Sequence, residues 1–507
     1  VPWNVESSRR STFNRVTSDN ANVQRSTFNV QLSTTWHENP FASGGVFLWN
    51  NALCGLMRLL YNILFLGFFS LTAPFYFLKM LRRGNWRQGF GQRFGRYSSK
   101  VKQAMTNRHV VWIHAVSVGE VSIATQLIRA MEPRLPNLKI VVSTTTSTGM
   151  DVLNKVLPSH IQKIYYPIDR RMYVRRAIAA IHPEAIILVE AEIWPNFLWA
   201  AADRDIPVFL VNARLSERSF PRYRFFSVLF RPLFRSLAGV GCQNEQDAER
   251  LRKLGCRTEA IRVVGSLKYD AAKLDERRPI DVPQILTQLG APEKCRVLLG
   301  GSTHPGEEAI LAEVFARLRV KFPDLFLVIV PRHFERGKEA GQDVGAKGLR
   351  FAYRKDITPQ TRFKPGEIDC LLVNTTGELK HFYEHATVVF VGKSLSPSAT
   401  GGQNPIEPAV LGKAIVFGPN MSNFEAIVRE FLRQNGAIQV KNAEALEQAV
   451  SFLLENPHEA SELGRHAVAV VRQNLGAVER TVEMLVEQLE GTDVYVAPWR
   501  DEGNRPF

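Results

Sequence analysis

From Val110 onward the chain repeats one pattern: a short apolar run, a polar or glycine-rich loop, then a stretch with helical spacing. Strand–loop–helix repeats of this kind pack as a parallel sheet with helices on its faces, which excludes most other folds. The first instance is Val111–Glu120, VWIHAVSVGE. Apolar alternation runs into Ser117, and Val121, Ala124, Leu127, Ile128 and Met131 follow at helical spacing. The pattern predicts a strand, a tight turn and a helix with Glu120 in its first turn. Backbone N–H groups crowd a helix start, so Glu120 is expected to stay ionised and poised to accept a proton. The plainer alternative is that Glu120 only complements the helix dipole.

The repeats gather polar residues where strands end. Ile140–Ser143 runs into Thr144–Gly149, and Ala185–Val189 into Glu190–Asn196, with Pro195 placed to open a helix. Val208–Val211 ends in Asn212-Ala213-Arg214, and Ile261–Val264 in Gly265-Ser266-Leu267-Lys268. Glu276–Pro292 reads as a connector. The alternation then restarts with Arg296–Leu299, Leu325–Val330, Asp369–Val373, Val388–Val391 and Ala414–Phe417, and helical patterns fill 422–434 and 443–490. A chain of 507 residues exceeds one core. We therefore expect two successive α/β domains, 100–275 and 293–490, with a cleft between them and a tail at 491–507. In an open parallel sheet, ligands bind at the carboxyl ends of the strands.

Residues 1–45 are polar, carry RSTFN twice and read as a disordered extension. Leu59–Leu78 is uncharged and about long enough to cross a bilayer, making 50–82 an expected membrane anchor. Lys79, Arg82, Arg83, Arg87, Arg93 and Arg96 follow, which places the next domain on the cytoplasmic side. An interfacial helix is the alternative, with Arg58, Asn62 and Pro74 at a headgroup boundary. The net charge of +15 favours anionic partners: a membrane surface, a phosphorylated substrate or nucleic acid. No zinc-finger spacing or RNP-like aromatic motif supports nucleic acid. The five cysteines are scattered, as in a reducing compartment, and no His- or Cys-rich cluster points to a metal.

Several loops carry chemistry. Gly300–Gly306 lacks the Gly-Lys-[Ser/Thr] ending of a P-loop but is able to present N–H groups to phosphate; a structural turn is the alternative. Gly401-Gly402 precedes Asn404-Pro405-Ile406-Glu407. There the glycines let backbone approach a ligand, Asn404 caps the next helix, and Glu407 is placed to hold a ribose diol. Arg332 and His333 at a strand end are candidates for phosphate or base, or form a surface turn. Glu190 and Glu192, two apart, are expected to share one face. Phe220–Leu237 interleaves arginines with aromatics and reads as a core helix with a basic outer face, or as a membrane-facing one.

Taken in order, HAVSVGE, TTTSTG, EAEIWPN, NARLSERS, CQNEQDAERL, GSLKYD, GGSTHPGEE, VPRHFER, TTGELKHFY, GKSLSPSATGGQNPIEPA and FGPNMSNF resemble the 3-deoxy-D-manno-oct-2-ulosonic acid (Kdo) transferases of lipopolysaccharide synthesis, from about Asn51 to Leu489. The resemblance implies a GT-B fold, two Rossmann-like domains facing an interdomain cleft, behind an N-terminal membrane-anchoring helix. It implies an inverting transfer of Kdo from CMP-Kdo to a lipid A precursor (lipid IVA), without metal or other cofactor, at the bacterial inner membrane. Glu120 would be the general base, and Glu192 and Lys268 would stabilise the transition state. The CMP site would fall on Pro331, Arg332, Gly377, Glu378, Leu379, Asn404, Pro405, Ile406 and Glu407. Departures from the family pattern are Lys393, Gln403 and Asn374. The competing readings are a GT-B enzyme for another nucleotide sugar and a membrane-anchored, non-catalytic nucleotide-binding protein.

Overall fold

The computed structural model describes residues 47–82, 87, 89–106, 108–217, 219–270, 280–396 and 401–489. The expected disordered extension at 1–45, the tail at 491–507 and the connector's first four residues, 276–279, lie outside them. Contacts divide the chain into residues 1–60 and 61–507. Of the first part, only the opening turns of a helix, Phe47–Arg82, are described.

Residues 61–507 contain two seven-stranded parallel sheets. The first comprises β1 (His109–His114), β2 (Leu138–Thr144), β3 (Gln162–Tyr165), β4 (Ala185–Val189), β5 (Val208–Ala213), β6 (Gly239–Cys242) and β7 (Ile261–Val263), in the order β3-β2-β1-β4-β5-β6-β7. The second comprises β8 (Arg296–Thr303), β9 (Leu325–Pro331), β10 (Phe351–Tyr353), β11 (Cys370–Leu372), β12 (Val388–Val391), β13 (Ala414–Phe417) and β14 (Ile438–Gln439), in the order β10-β11-β9-β8-β12-β13-β14. The order reverses between β1 and β4 in one sheet and between β8 and β12 in the other. These are the switch points where loops splay apart and leave a crevice.

Each central strand is apolar on both faces because helices cover both. Val110 and Trp112 enter one core layer, and Val111 and Ile113 the layer on the opposite face. The second sheet repeats this with Phe326, Val328 and Val330 on one side and Leu325, Leu327 and Ile329 on the other. Such continuous apolar runs are what a doubly covered parallel sheet requires.

The last described helix, Ala477–Leu489, leaves the second sheet and packs into the first sheet's core through Val482, Met484, Leu485 and Leu489. Asp270 holds its start by accepting from the N–H groups of Gly476 (2.9 Å) and Val478 (2.8 Å). Chain order alone assigned this segment to the second domain; its apolar face instead completes the first.

The expected single helix over Phe220–Leu237 is two, Phe220–Phe225 and Ser227–Arg235, broken at Phe226. Leu233 and Phe234 are buried, whereas Phe225, Phe226 and Val228 are exposed. Only the second half is a core helix. The connector contains a short helix, Val282–Gln288, capped by Asp281.

Candidate active site at the strand ends

The β1 loop builds the site's first carboxylate. Ser117 caps the helix Val118–Met131, its Oγ accepting from the Glu120 N–H (3.2 Å). The Glu120 side chain turns back and accepts from the Val116 N–H (2.8 Å), a reciprocal arrangement close to a capping box. The Val116 carbonyl is braced in turn by the hydroxyls of Thr144 (3.2 Å) and Thr146 (3.4 Å). That is the work of the hydroxyl-rich turn after β2. Gly149 lies so close that a Cβ there would stand 2.4 Å from the Thr144 Oγ1.

Glu120 is buried, and burial pushes its carboxyl above the ordinary range; the hydrogen bonds from Val116 and Ser117 pull it back, and Glu190 raises it. This corrects the expectation that the helix start alone keeps Glu120 ionised: desolvation outweighs the N–H groups. The shift suits a base, because a carboxylate with raised proton affinity takes a proton more readily.

Glu190 and Glu192 reach the same place by a different route from the one expected. β4 stops at Val189, and Glu190 adopts a left-handed backbone (φ 65°). The two residues therefore do not share a strand face. Glu190 instead pairs with Lys268 from the β7 loop, Oε1 to Nζ 3.0 Å. Glu192 accepts from the Trp194 Nε1 (2.8 Å), and its carboxyl is pushed up to about 7 by burial and then by the charge of Glu120. Behind this loop, Asp169 accepts from the N–H groups of Asn196 (3.0 Å) and Phe197 (2.9 Å), which caps the Pro195–Ala202 helix and fixes the loop's exit. Burial raises the Asp169 carboxyl to about 6, against the hydrogen bonds that lower it.

Asn212, near the end of β5, is a hub; the sequence reading noted it at a strand end without giving it a role. It is fully buried, with φ 52°. Its Oδ1 accepts from the Leu267 N–H (3.1 Å), its Nδ2 donates to Glu190 (3.4 Å), and its carbonyl accepts from Gln243 (3.0 Å). One side chain thus holds Glu190 and the backbone beside Lys268. The available signal was an asparagine directly after a strand, a residue type that tolerates the left-handed region.

The second sheet closes over this cluster. Arg214 donates to the carbonyls of Ser422 and Asn423 (3.1 Å to the latter), Arg429 donates to Gln246 (2.9 Å), and the Lys268 Nζ lies 5.3 Å from the Phe424 ring centroid. Glu120, Glu190, Glu192 and Lys268 therefore form one charged group at the first sheet's switch point, facing the 422–424 turn of the second.

The remaining predicted residues sit at the strand ends of the second sheet. Pro331 ends β9, and Arg332, exposed, follows it. Gly377 (φ 85°) precedes Glu378, which pairs with Arg354 (3.0 Å) and accepts from Thr375 (2.7 Å), with Leu379 next in line. Asn404 accepts from the Ile406 N–H (3.1 Å) and donates to Glu407 (3.1 Å). Burial raises the Glu407 carboxyl, while Asn404, Lys380 and Arg332 lower it, which puts Arg332 within electrostatic reach of Glu407.

Two expectations need correction here. The helix after Asn404 is Ile406–Val410, barely more than one turn, and its formal cap is Pro405. Its dipole is correspondingly slight. The glycine pair is required by the chain itself: Gly401 (φ 106°) lies against Asn423 and Gly402 (φ 69°) against Met421, where a Cβ would fall 2.3 Å from each side chain. Within Gly300–Gly306, the His304 N–H is already engaged by a carboxylate. Glu307 is fully buried and accepts from the backbone N–H groups of His304 (2.9 Å), Lys393 (2.7 Å), Ser394 (2.8 Å) and Leu395 (3.0 Å), tying the β8 and β12 loops together. The carboxylate thus takes one N–H from the glycine-rich loop and three from the β12 loop.

Comparison with known proteins narrows the class. A family model described as 3-Deoxy-D-manno-octulosonic-acid transferase (kdotransferase) matches residues 88–271. The 3-deoxy-D-manno-octulosonic acid transferase of Haemophilus influenzae is 31% identical over 438 residues, spanning 86% of this chain and 99% of that protein. The protein of the same description from Bordetella pertussis is 31% identical over 432 residues, spanning 82% and 97%. Among solved structures, a glycosyltransferase from Rickettsia africae superposes with a TM-score of 0.52 at 13% identity, covering 76% of this chain and all of that one. At that identity the likeness speaks to fold alone.

Proposed function

Because this chain belongs to the 3-deoxy-D-manno-octulosonic acid (Kdo) transferase family and is a glycosyltransferase of GT-B architecture, we propose that it moves Kdo from CMP-Kdo to the lipid A precursor lipid IVA, with inversion, in lipopolysaccharide synthesis at the bacterial inner membrane. The observation that carries the reading is the cluster of Glu120, Glu192 and Lys268 at the first sheet's switch point, opposite a second sheet whose strand ends hold Arg332, Glu378 and Glu407.

In this reading the acceptor hydroxyl enters beside Glu120. As its oxygen bonds to the anomeric carbon, its proton passes to the Glu120 carboxylate, whose raised proton affinity suits the task. The bond from the anomeric carbon to the CMP phosphate breaks, and CMP departs with the electron pair. Lys268, held by Glu190 in the structure, offers its ammonium to that developing charge. Glu192 faces positive charge developing on the sugar ring, and loss of its proton there would be favoured as that charge grows. Arg332 is placed for the CMP phosphate and Glu407 for the ribose diol, the latter exchanging its Asn404 contact for the two hydroxyls.

The anchor reading fits the same chemistry. Among the described residues, one helix is long and apolar enough to cross a membrane, Gly55–Leu78, with mean hydropathy 1.6. It would bring the enzyme to a lipid acceptor, with the catalytic domains on the cytoplasmic side. No metal is assigned a role; transfer should persist in a chelator. The test is to incubate the full chain with CMP-Kdo and lipid IVA and weigh the product. A mass gain of one or more Kdo units supports the reading. No gain with CMP-Kdo, but transfer from another nucleotide sugar, overturns it.

A further inference from the structure

We infer that the apolar helix lies flat along the first domain, in the plane of the membrane surface, rather than crossing the bilayer. The inference rests on the membrane association proposed above and adds its geometry. The helix is docked on one domain at two distant points. Near its middle, the Tyr61 hydroxyl donates to Asp169 (2.8 Å), and the carboxamides of Asn62 and Asn196 exchange two hydrogen bonds of 3.1 Å. The Tyr61 ring meets Trp199 edge-on at 5.7 Å. Near its end, Phe77 contacts Phe90 (6.3 Å), and Phe90 leads through Phe94 (5.2 Å) to Tyr173 (5.2 Å).

Tyr61 and Phe77 are separated by about 24 Å of helix axis at 1.5 Å per residue. A helix crossing the bilayer would carry one of these docking points close to the far interface. The groups docked there include a buried carboxylate and a carboxamide pair from the globular domain. Either that surface enters hydrocarbon or the contacts break, and both are costly.

The exposed and covered faces agree with this placement. Tyr61, Asn62, Phe65, Phe69, Thr72 and Ala73 are half-buried and recur at helical spacing, whereas Leu64, Leu71, Phe75 and Leu78 are exposed. Leu71 is 83% exposed. A helix apolar toward solvent and docked on protein behind has one natural occupant for its outer face, lipid at the headgroup–acyl boundary. Phe225 (82% exposed) and Phe226, at the break between two helices of the same core layer, supply a second apolar tip. Arg171, Arg222, Arg224 and Arg235 are exposed on helices of that layer and are charge-complementary to an anionic leaflet.

The experiment measures depth. Leu64→Cys, Leu71→Cys and Leu78→Cys lie one heptad apart on one face and span about 21 Å of axis. Each is made in a Cys54→Ser, Cys295→Ser background of the full chain, spin-labelled and bound to phosphatidylethanolamine–phosphatidylglycerol vesicles. Equal, shallow depths of about 5–10 Å for all three labels support the in-plane helix. A label at Leu71 near the bilayer centre, with those at Leu64 and Leu78 about 10 Å shallower, overturns it while leaving membrane association intact. Chain that fails to float with the vesicles overturns membrane association and this inference with it.

Discussion

Glu192→Gln should make the protein more stable while making it a worse enzyme. Burial and the charge of Glu120 hold the Glu192 carboxyl at about 7, against 4.5 in an unhindered glutamate. A pKa raised in the folded state means that the native protein binds the proton more tightly than the unfolded chain. The stability this confers is present at low pH and is lost as pH rises through 7. At 1.36 kcal/mol per pH unit, ionising Glu192 in place costs at most about 3 kcal/mol, and partial solvent access reduces this to about 1–3 kcal/mol. Glutamine keeps an acceptor for the Trp194 Nε1 and carries no charge. Urea unfolding at about pH 5 should leave wild type and variant nearly equal, and at about pH 8 the variant should lead by about 1–3 kcal/mol. Transfer should fall, while the acid limb set by Glu120 should stay in place, because Glu192 is still protonated where Glu120 titrates. An advantage that is the same at both pH values, or a variant that is less stable at about pH 8, would refute the reasoning.

Other substitutions separate parts of the site. Asn212→Ala leaves the Leu267 N–H unpaired in the interior and puts alanine at φ 52°; we expect a loss of about 2–4 kcal/mol in unfolding free energy and a lower kcat, with CMP affinity largely kept, read by calorimetry. Gly401→Ala combines φ 106° with a Cβ 2.3 Å from Asn423, so the 401–407 loop should shift and CMP binding should weaken, with a stability loss of about 1–3 kcal/mol. Glu407→Ala should weaken CMP about 10- to 100-fold by titration calorimetry, as expected for two lost charge-assisted hydrogen bonds, and leave the unfolding midpoint little changed.

The central strands could be read in the sequence because each is a continuous apolar run that only a doubly covered sheet accommodates. β3, β6, β10 and β14 could not. Gly239-Val240-Gly241-Cys242 carries little side-chain signal, and Phe351–Tyr353 and Ile438–Gln439 are short edge strands, only partly buried. The carboxylates were visible as strand-end residues, but their environment was not. Whether Glu120 is ionised depends on its desolvation in the folded chain, and Glu190 turns away from Glu192 through a left-handed backbone that no residue pattern announced. Glu307 shows the converse: a glycine-rich loop suggested phosphate, and a carboxylate from the next helix holds that loop's His304 N–H together with three N–H groups of the β12 loop. The return of Ala477–Leu489 to the first sheet is a tertiary choice, invisible in its amphipathic spacing.

The most direct test of the account is single-turnover transfer from CMP-Kdo to lipid IVA by wild type and Glu120→Gln, with CMP affinity measured on both. The account predicts that the variant binds CMP as wild type does and loses about 10²- to 10⁴-fold in rate, and that the wild-type rate falls with decreasing pH through a value above the ordinary carboxylate range. A Glu120→Gln enzyme that transfers Kdo at the wild-type rate would remove Glu120 as the base.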